Sequence, residues 1–295
     1  MTHEDLTAGE LRILAAVERE RSFSAAAIRL GLTQSAVSYA VRAAERKIGM
    51  VLFQRGRNGA RPTAAGTAAV GHARRILRLM DVMRAEAHAA STGETTGNIK
   101  VAAFRSAAFH LLPMVLARFA RRYPKVTVDV RIVQEIGRGI AGEVLEGRAD
   151  LGIVTFPSRV AGLVGRDLFA EPYVLAYPAG HPDPRSLPMI DWHENCSVET
   201  KRWLDRQAWI PPSDIQVEDD GVVLSMVGYG LGSAIVPRLT LVDAPPKVAM
   251  EELDAAPPIR RVGYVTTSEM ANSAVVRELV GELRAHCAKR FAAVG

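Results

Sequence analysis

Gln34, Ser35, Ser38, Tyr39 and Arg42 gather amide, hydroxyl and guanidinium groups within a short stretch of one predicted helix. Amides and guanidinium groups match the paired acceptors and donors on base-pair edges, while hydroxyls and cations meet phosphate oxygens. Val37, Val41, Ala44 and Ile48 recur in steps of four, three and four residues. That spacing keeps an apolar stripe on the opposite side of the helix, facing a core. The combination suits an α-helix lying in the major groove of duplex DNA.

The flanking residues supply the elements that would position this helix. Ser22 is a predicted N-cap for a preceding short helix whose Phe23, Ala26, Ala27 and Leu30 face inward. Gly31 falls where a helix end takes a left-handed residue, and Thr33 follows as the N-cap of the second helix. A connection reduced to Gly31 and Leu32 makes the two helices cross steeply, as in a helix-turn-helix. A helical hairpin within a bundle is the competing reading. Met50 to Gly66 weighs against it, because Val51, Leu52 and Phe53 lead into Arg55, Arg57 and Arg61, spaced by Gly56, Asn58 and Gly59. This reads as a β-ribbon with a cationic tip. Directly after the helix pair it makes a wing whose arginines can meet phosphates or an adjacent minor groove. Away from that context the same turn would be an ordinary solvated loop.

The charge is unevenly spread. Residues 1–90 carry 14 Lys+Arg against 8 Asp+Glu, and the remainder 23 against 24, within a net charge of +5. The basic excess thus coincides with the candidate DNA-reading end. A basic membrane-surface module is disfavoured because the segment lacks a helix with a lipid-inserting apolar face. The 295 residues exceed one average domain. No apolar leader and no run long enough to span a bilayer is present, so a cytoplasmic protein is expected. Cys196 and Cys287 have neither disulfide-framework density nor metal-ligand spacing, and are read as buried, reduced thiols. No cofactor or metal is expected.

From residue 64 to 90 an alanine-rich helix is predicted, with Ile76, Met80, Met83 and Ala87 in a stripe that Leu77 and Leu79 broaden. At 1.5 Å per residue it would be roughly 40 Å long, too long and apolar to stand alone, so pairing with a second chain is expected. The polar stretch Ser91 to Asn98 is the domain boundary. Beyond it strands and helices alternate: strands at 99–103, 126–132, 151–154, 173–177, 233–236 and 262–266, and helices at 111–123, 139–146, 222–229 and 271–291. This order predicts a mostly parallel sheet in two lobes joined by crossing strands, with a ligand cleft at the carboxyl ends of the strands.

Over nearly its whole length the sequence resembles the LysR-type transcriptional regulators. The carrying residues are SFSAAAIRLGLTQSAVS from Ser22, then Glu45, Ile48, Gly49, Leu52, Phe53, Arg55 and PTAAG from Pro62. Further on come LLP at Leu111 to Pro113, Phe119, YP at Tyr123, GRADLGI from Gly147, HP at His181 and GYGLGSAIVP from Gly228. Ser35 stands where the family often has proline, and Tyr39 where it often has a basic residue; Arg42, one turn on, is a compensating cation.

The resemblance implies an α/β multidomain fold. Residues 1–63 would form a winged helix-turn-helix and 64–90 a dimerising linker helix. Residues 91–295 would form a two-lobed effector domain like periplasmic binding proteins, with lobe I about 98–156 and 267–295 and lobe II about 157–266. It further implies a homodimer assembling into a homotetramer, double-stranded promoter DNA as partner, and a small-molecule effector. Candidate DNA contacts are Ser24, Thr33, Gln34, Ser35, Ser38, Tyr39, Arg42, Arg55, Arg57 and Arg61. Candidate effector contacts are Arg105, Ser106, Gln134, Glu135, Thr155, Glu199, Thr200 and Thr266. Arg105 and Ser106 before a helix favour a carboxylate, whereas Glu135 opposes one or reads a second part of the ligand. Two alternatives remain, a solute-binding protein and an enzyme using the cleft. The first lacks an export signal; the second lacks a nucleophile–base motif, metal cluster or phosphate loop, with His110, His181 and His193 scattered among loop-like stretches.

Overall fold

The structure, a computed structural model, describes residues 5–56, 59–156, 160–192, 198–211, 213, 215–218, 220–253 and 256–291. Its contacts divide the chain into two units, residues 1–97 with 143–149, and 98–142 with 150–295.

The first unit opens on α1 (Ala8–Glu20), a helix absent from the sequence reading. A capping box starts it: Thr7 Oγ1 accepts from Glu10 N at 3.2 Å and the Glu10 carboxylate accepts from Thr7 N at 2.8 Å. Helix α2 (Phe23–Leu30) is capped by Ser22, whose hydroxyl accepts from Ala25 N at 3.2 Å. It ends at Gly31, with φ 66, whose N–H reaches the Ala27 and Ile28 carbonyls. Thr33 caps α3 (Gln34–Ile48) in the predicted way, accepting from Ala36 N at 3.2 Å. Leu14 and Val17 of α1, Ala26 and Ala27 of α2, and Val37, Val41 and Ala44 of α3 close one core with Leu52, Phe53 and Val70. Each large apolar side chain buried there contributes about 1.5–3 kcal/mol.

The ribbon follows as β1 (Phe53–Gly56) antiparallel to β2 (Gly59–Pro62). Glu45 Oε1 of α3 accepts from Leu52 N at 2.8 Å and Phe53 N at 3.2 Å, clasping the start of the ribbon. On the other strand Ala60 N donates to the Arg21 carbonyl at 2.8 Å. Gly59 has φ +91, and a Cβ there would sit 2.2 Å from the Arg21 oxygen, so only glycine permits this approach. Helix α4 (Ala64–Thr92) runs two residues past the predicted end and stops at Gly93, φ 73. Its Ile76, Leu79 and Met83 are 46, 38 and 61% exposed in the single chain.

The second unit contains, in order, β3 (Gly97–Ala103), α5 (Arg105–His110), α6 (Leu112–Arg122), β4 (Val126–Ile132), α7 (Gly139–Leu145), whose residues are divided between the two units, β5 (Leu151–Phe156) and β6 (Leu163–Pro178). There follow β7 (Ile190–Trp192), α8 (Val198–Leu204), β8 (Ile215–Val217), α9 (Asp220–Gly228), β9 (Ala234–Pro237), β10 (Val248–Glu252), β11 (Ile259–Thr267), α10 (Ser268–Ala271) and α11 (Ala274–Phe291). The main sheet has the order β10-β6-β11-β5-β3-β4, with β9 also on β6.

The expected mostly parallel sheet is corrected here. Pairs β3–β5 and β7–β8 are parallel, but β11 is antiparallel to both β5 and β6, and β9 and β10 are antiparallel to β6. The reason is topological: β6 leaves one lobe and β11 returns to it, so the crossing strands must oppose. Strand β6 also starts earlier than expected and is long enough to pair with β11 in its first part and with β9 and β10 in its second. Around β9 a core of Val174, Trp192, Val223, Val227, Ala234 and Val236 fills one lobe. The other lobe buries Ile99, Val101, Phe119, Leu151, Ile153, Leu279 and Leu283. On its flank Arg118 Nη2 meets His286 Nδ1 at 2.8 Å, joining α6 to α11.

Candidate functional sites

Helix α3 presents Gln34, Ser35, Tyr39 and Arg42 to solvent, and Thr33 is exposed at its cap. Ser38 departs from the expected placement. It is 4% exposed and accepts from Gln34 Nε2 at 3.0 Å, so it is part of the packed side rather than the groove-facing side. At about 100° per residue Ser38 stands roughly 60° round the helix from Val41, at the border of the core stripe rather than on the far side of the helix. Thr33 and Ser35 hydroxyls lie 3.0 Å apart. Tyr39, 64% exposed, carries the Arg46 guanidinium 5.9 Å from its ring centre, a neighbouring cation that the sequence reading passed over. Ser24 on α2 and Arg61 on β2 are also exposed. Arg55 pairs with Ala60 through the ribbon backbone, but its side chain, and the whole of Arg57, lie outside the described residues.

A half-buried ion pair holds the lower end of α3. Lys47 Nζ lies 2.9 Å from Glu10 and donates to the Asp5 carbonyl at 3.1 Å. Burial opposes the Glu10 charge, but the Thr7 N–H and the Lys47 ammonium outweigh it and hold the carboxyl below its ordinary value.

In the second unit the structure brings five of the candidate effector residues to one end of the sheet. Ser106 at the start of α5 is buried and Arg105 beside it is half-buried, its guanidinium 5.2 Å from the Phe109 ring centre. Gln134 and Glu135 follow β4. Gln134 Nε2 donates to the Glu218 carbonyl at 3.4 Å. Glu135 accepts from Thr155 N at 3.0 and 2.9 Å through its two oxygens. Thr155 stands near the carboxyl end of β5, where open α/β sheets receive ligands.

Thr266 is not part of this cluster. The register pairs Val262 with Thr155 and Val265 with Gly152, so the antiparallel β11 carries Thr266 to the far end of β5. There it is buried and donates to the Asp150 carbonyl at 2.6 Å. Thr200 is likewise buried, in α8, and the Glu199 side chain lies outside the described residues.

The residue that does reach the cluster from β11 is Arg260, which the sequence reading missed. It is a direct cross-strand partner of Glu171 on β6, with Nε 2.8 Å and Nη2 2.7 Å from Glu171 Oε1. Arg260 Nη2 also donates to Ser106 Oγ at 3.1 Å, and the Phe104 ring covers the guanidinium at 4.6 Å. The second Glu171 oxygen accepts from Leu239 N. Both partners are buried, 8 and 3% exposed in their side chains. This ion pair therefore links the crossing strands, the start of α5 and the turn after β9. Its sequence signal is the oppositely charged pair in otherwise apolar crossing strands, legible once the register is known.

Cys287 is buried and its thiol is pushed up to about 12 by desolvation, so it is held as an unreactive thiol. Cys196 and His193 lie outside the described residues. Among the described residues no group of three His, Cys, Asp or Glu is placed to hold a metal ion. No helix among them is long and apolar enough to cross a membrane.

The two regions that carry these residues match known protein families. Residues 9–67 match the bacterial regulatory helix-turn-helix protein, lysR family, and residues 92–288 match the LysR substrate binding domain. A probable HTH-type transcriptional regulator LrrA of Synechococcus elongatus is 36% identical over 264 residues, covering 86% of this chain and 87% of that protein. The fold is shared with the crystal structure of full-length CbnR complexed with its target DNA (TM-score 0.66, 23% identity, 95% of this chain and 99% of that one). It is shared also with a full-length OxyR variant of Pseudomonas aeruginosa (TM-score 0.72, 22% identity, 95% and 98%). With a helix-turn-helix in front, an α/β effector unit behind and a relative more than one-third identical across most of both, this chain belongs to the LysR-type transcriptional regulators, DNA-binding proteins with an effector-binding domain and no enzymatic activity.

Proposed function

We propose that α3 enters the major groove of promoter DNA with Gln34, Ser35 and Arg42 toward base edges, while Thr33, Tyr39, Ser24 and the ribbon arginines Arg55, Arg57 and Arg61 meet the backbone. The observation that carries this reading is the exposed row of donors on a helix whose other side is locked into the first unit's core. Ser38 acts through Gln34, whose amide it orients. The exposed Ile76, Leu79 and Met83 of α4 support pairing with a second copy, and a tetramer of two such pairs. Paired heads read half-sites about one helical turn apart or a multiple of it.

The small-molecule effector binds at the carboxyl ends of β3 and β5, with a carboxylate or other acceptor toward Arg105 and Ser106. Ser106 Oγ accepts from Arg260 and keeps its own proton to donate. Effector binding shifts the arrangement of subunits only as far as its affinity differs between arrangements. The protein works in the cytoplasm, where the promoter is. Fluorescence anisotropy of the purified chain on duplexes from its own upstream region, at low ionic strength, tests the assignment. Saturable binding that falls steeply with salt is expected; indifference to every such duplex, with and without metabolite extract, overturns it.

A further inference from the structure

Beside the buried Arg260–Glu171 pair stands a further carboxylate, the half-buried Glu135. Among the described residues Glu135 accepts from Thr155 alone, whose N–H lies 3.0 and 2.9 Å from its two oxygens. A carboxylate offers about four lone-pair positions. Among the described residues the cation whose field reaches Glu135 is Arg260. That guanidinium is already engaged, to Glu171 at 2.8 and 2.7 Å and to Ser106 at 3.1 Å. Two carboxylates thus share one guanidinium at the end of β5. Desolvation opposes the Glu135 charge by more than the Thr155 bonds and the Arg260 field favour it, so the carboxyl is held above its ordinary value and a cation brought beside it would stabilise the ionised form. The adjacent Gln134 reaches the Glu218 carbonyl at 3.4 Å, so this loop stands where the two lobes meet.

A carboxylate at such a place attracts a cationic donor and repels a second anion. We infer that Glu135 sets the specificity of the cleft, and that the effector presents a protonated amine or guanidine to it. This rests on the effector-binding reading of the second unit and narrows it to ligands with a cationic group, whatever acceptor they offer to Ser106.

The test is calorimetry on the full chain with free amino acids and polyamines, their N-acetylated counterparts, and mono- and dicarboxylates without an amine. Binders are expected among the amine-bearing compounds, and N-acetylation should weaken them by about thirtyfold or more. Glu135→Gln, which keeps an acceptor for the Thr155 N–H, should show the same loss, with circular dichroism verifying its fold. The N-acetyl comparison uses the unsubstituted chain and stands even if the variant misfolds. A tightest binder with no cationic group, a panel in which nothing binds, or a folded Glu135→Gln with unchanged affinity overturns the inference. Duplex binding is scored separately, so a failed panel leaves the DNA-reading assignment standing.

Discussion

Replacing Arg260 by Met probes the ion pair that joins both crossing strands to α5. The side chains of Arg260 and Glu171 are 8 and 3% exposed, and two charge-assisted bonds of 2.8 and 2.7 Å connect them. Arg260→Met leaves Glu171 buried with the Leu239 N–H as its remaining partner, and removes the donor to Ser106. Stripping one partner from a buried pair costs about 3–5 kcal/mol, because the other charge is stranded. For a unit of this size each kcal/mol moves the midpoint by about 2–4 °C, so the unfolding transition of the second unit should fall by roughly 6–20 °C. Differential scanning calorimetry of the full chain resolves it, the first unit serving as an internal reference that should not move. Adding Glu171→Gln removes the stranded charge and should recover part of the loss. A shift below about 2 °C, or a double variant as unstable as the two single losses summed, would refute the reasoning.

The other predictions concern DNA, assembly and pH. Arg55→Ala should weaken binding to every duplex and flatten the dependence of log K on log salt by about one unit; an unchanged slope removes Arg55 from the phosphate contacts. Ile76→Glu with Met83→Glu should place like charges on the exposed stripe of α4 and leave a monomer by light scattering; a dimer mass in that variant excludes α4 as the seam. His286 is buried beside Arg118 and Arg290, and burial first, then those two cations, hold it below its ordinary value of 6.5. Its folded state binds fewer protons than its unfolded state, so its contribution is complete above about pH 6.5 and is lost as pH falls toward the folded-state value. Melting temperature should therefore drop between about pH 7.5 and 5.5, and His286→Leu should make that decline shallower; an identical slope in the variant assigns the acid loss elsewhere.

What can be read from the residues follows how local each signal is. Ser22, Gly31 and Thr33 act within one turn of the helices they cap, and their geometry is as the sequence implies. Helix α1 is equally local, announced by Thr7 and Glu10 at capping-box spacing with Leu11, Leu14 and Val17 behind them, although a reading that starts from Ser22 does not reach it. Ser38 departs from expectation because it stands at the border of the core stripe, where burial is decided by tertiary packing rather than by residue type. The Thr266 and Arg260 exchange is of another kind. No periodicity within β11 reveals whether it runs with or against β5, and that direction alone decides which of its ends lies at the carboxyl end of β5. The Glu171 partnership spans 89 residues and becomes visible only with the register.

The Glu45 clasp has a consequence for how targets are chosen. Because one carboxylate of α3 holds the Leu52 and Phe53 amides where the chain enters the ribbon, and the Arg21 carbonyl accepts from Ala60 on its returning strand, α3 and ribbon are tied into a single tool. On the proposed docking, the offset between the bases met by α3 and the backbone met by the ribbon is then built into the protein, like the gap between two teeth of a key. A promoter read in this way could evolve new letters beneath either tooth, but a base pair inserted or deleted between them would keep the two from fitting together.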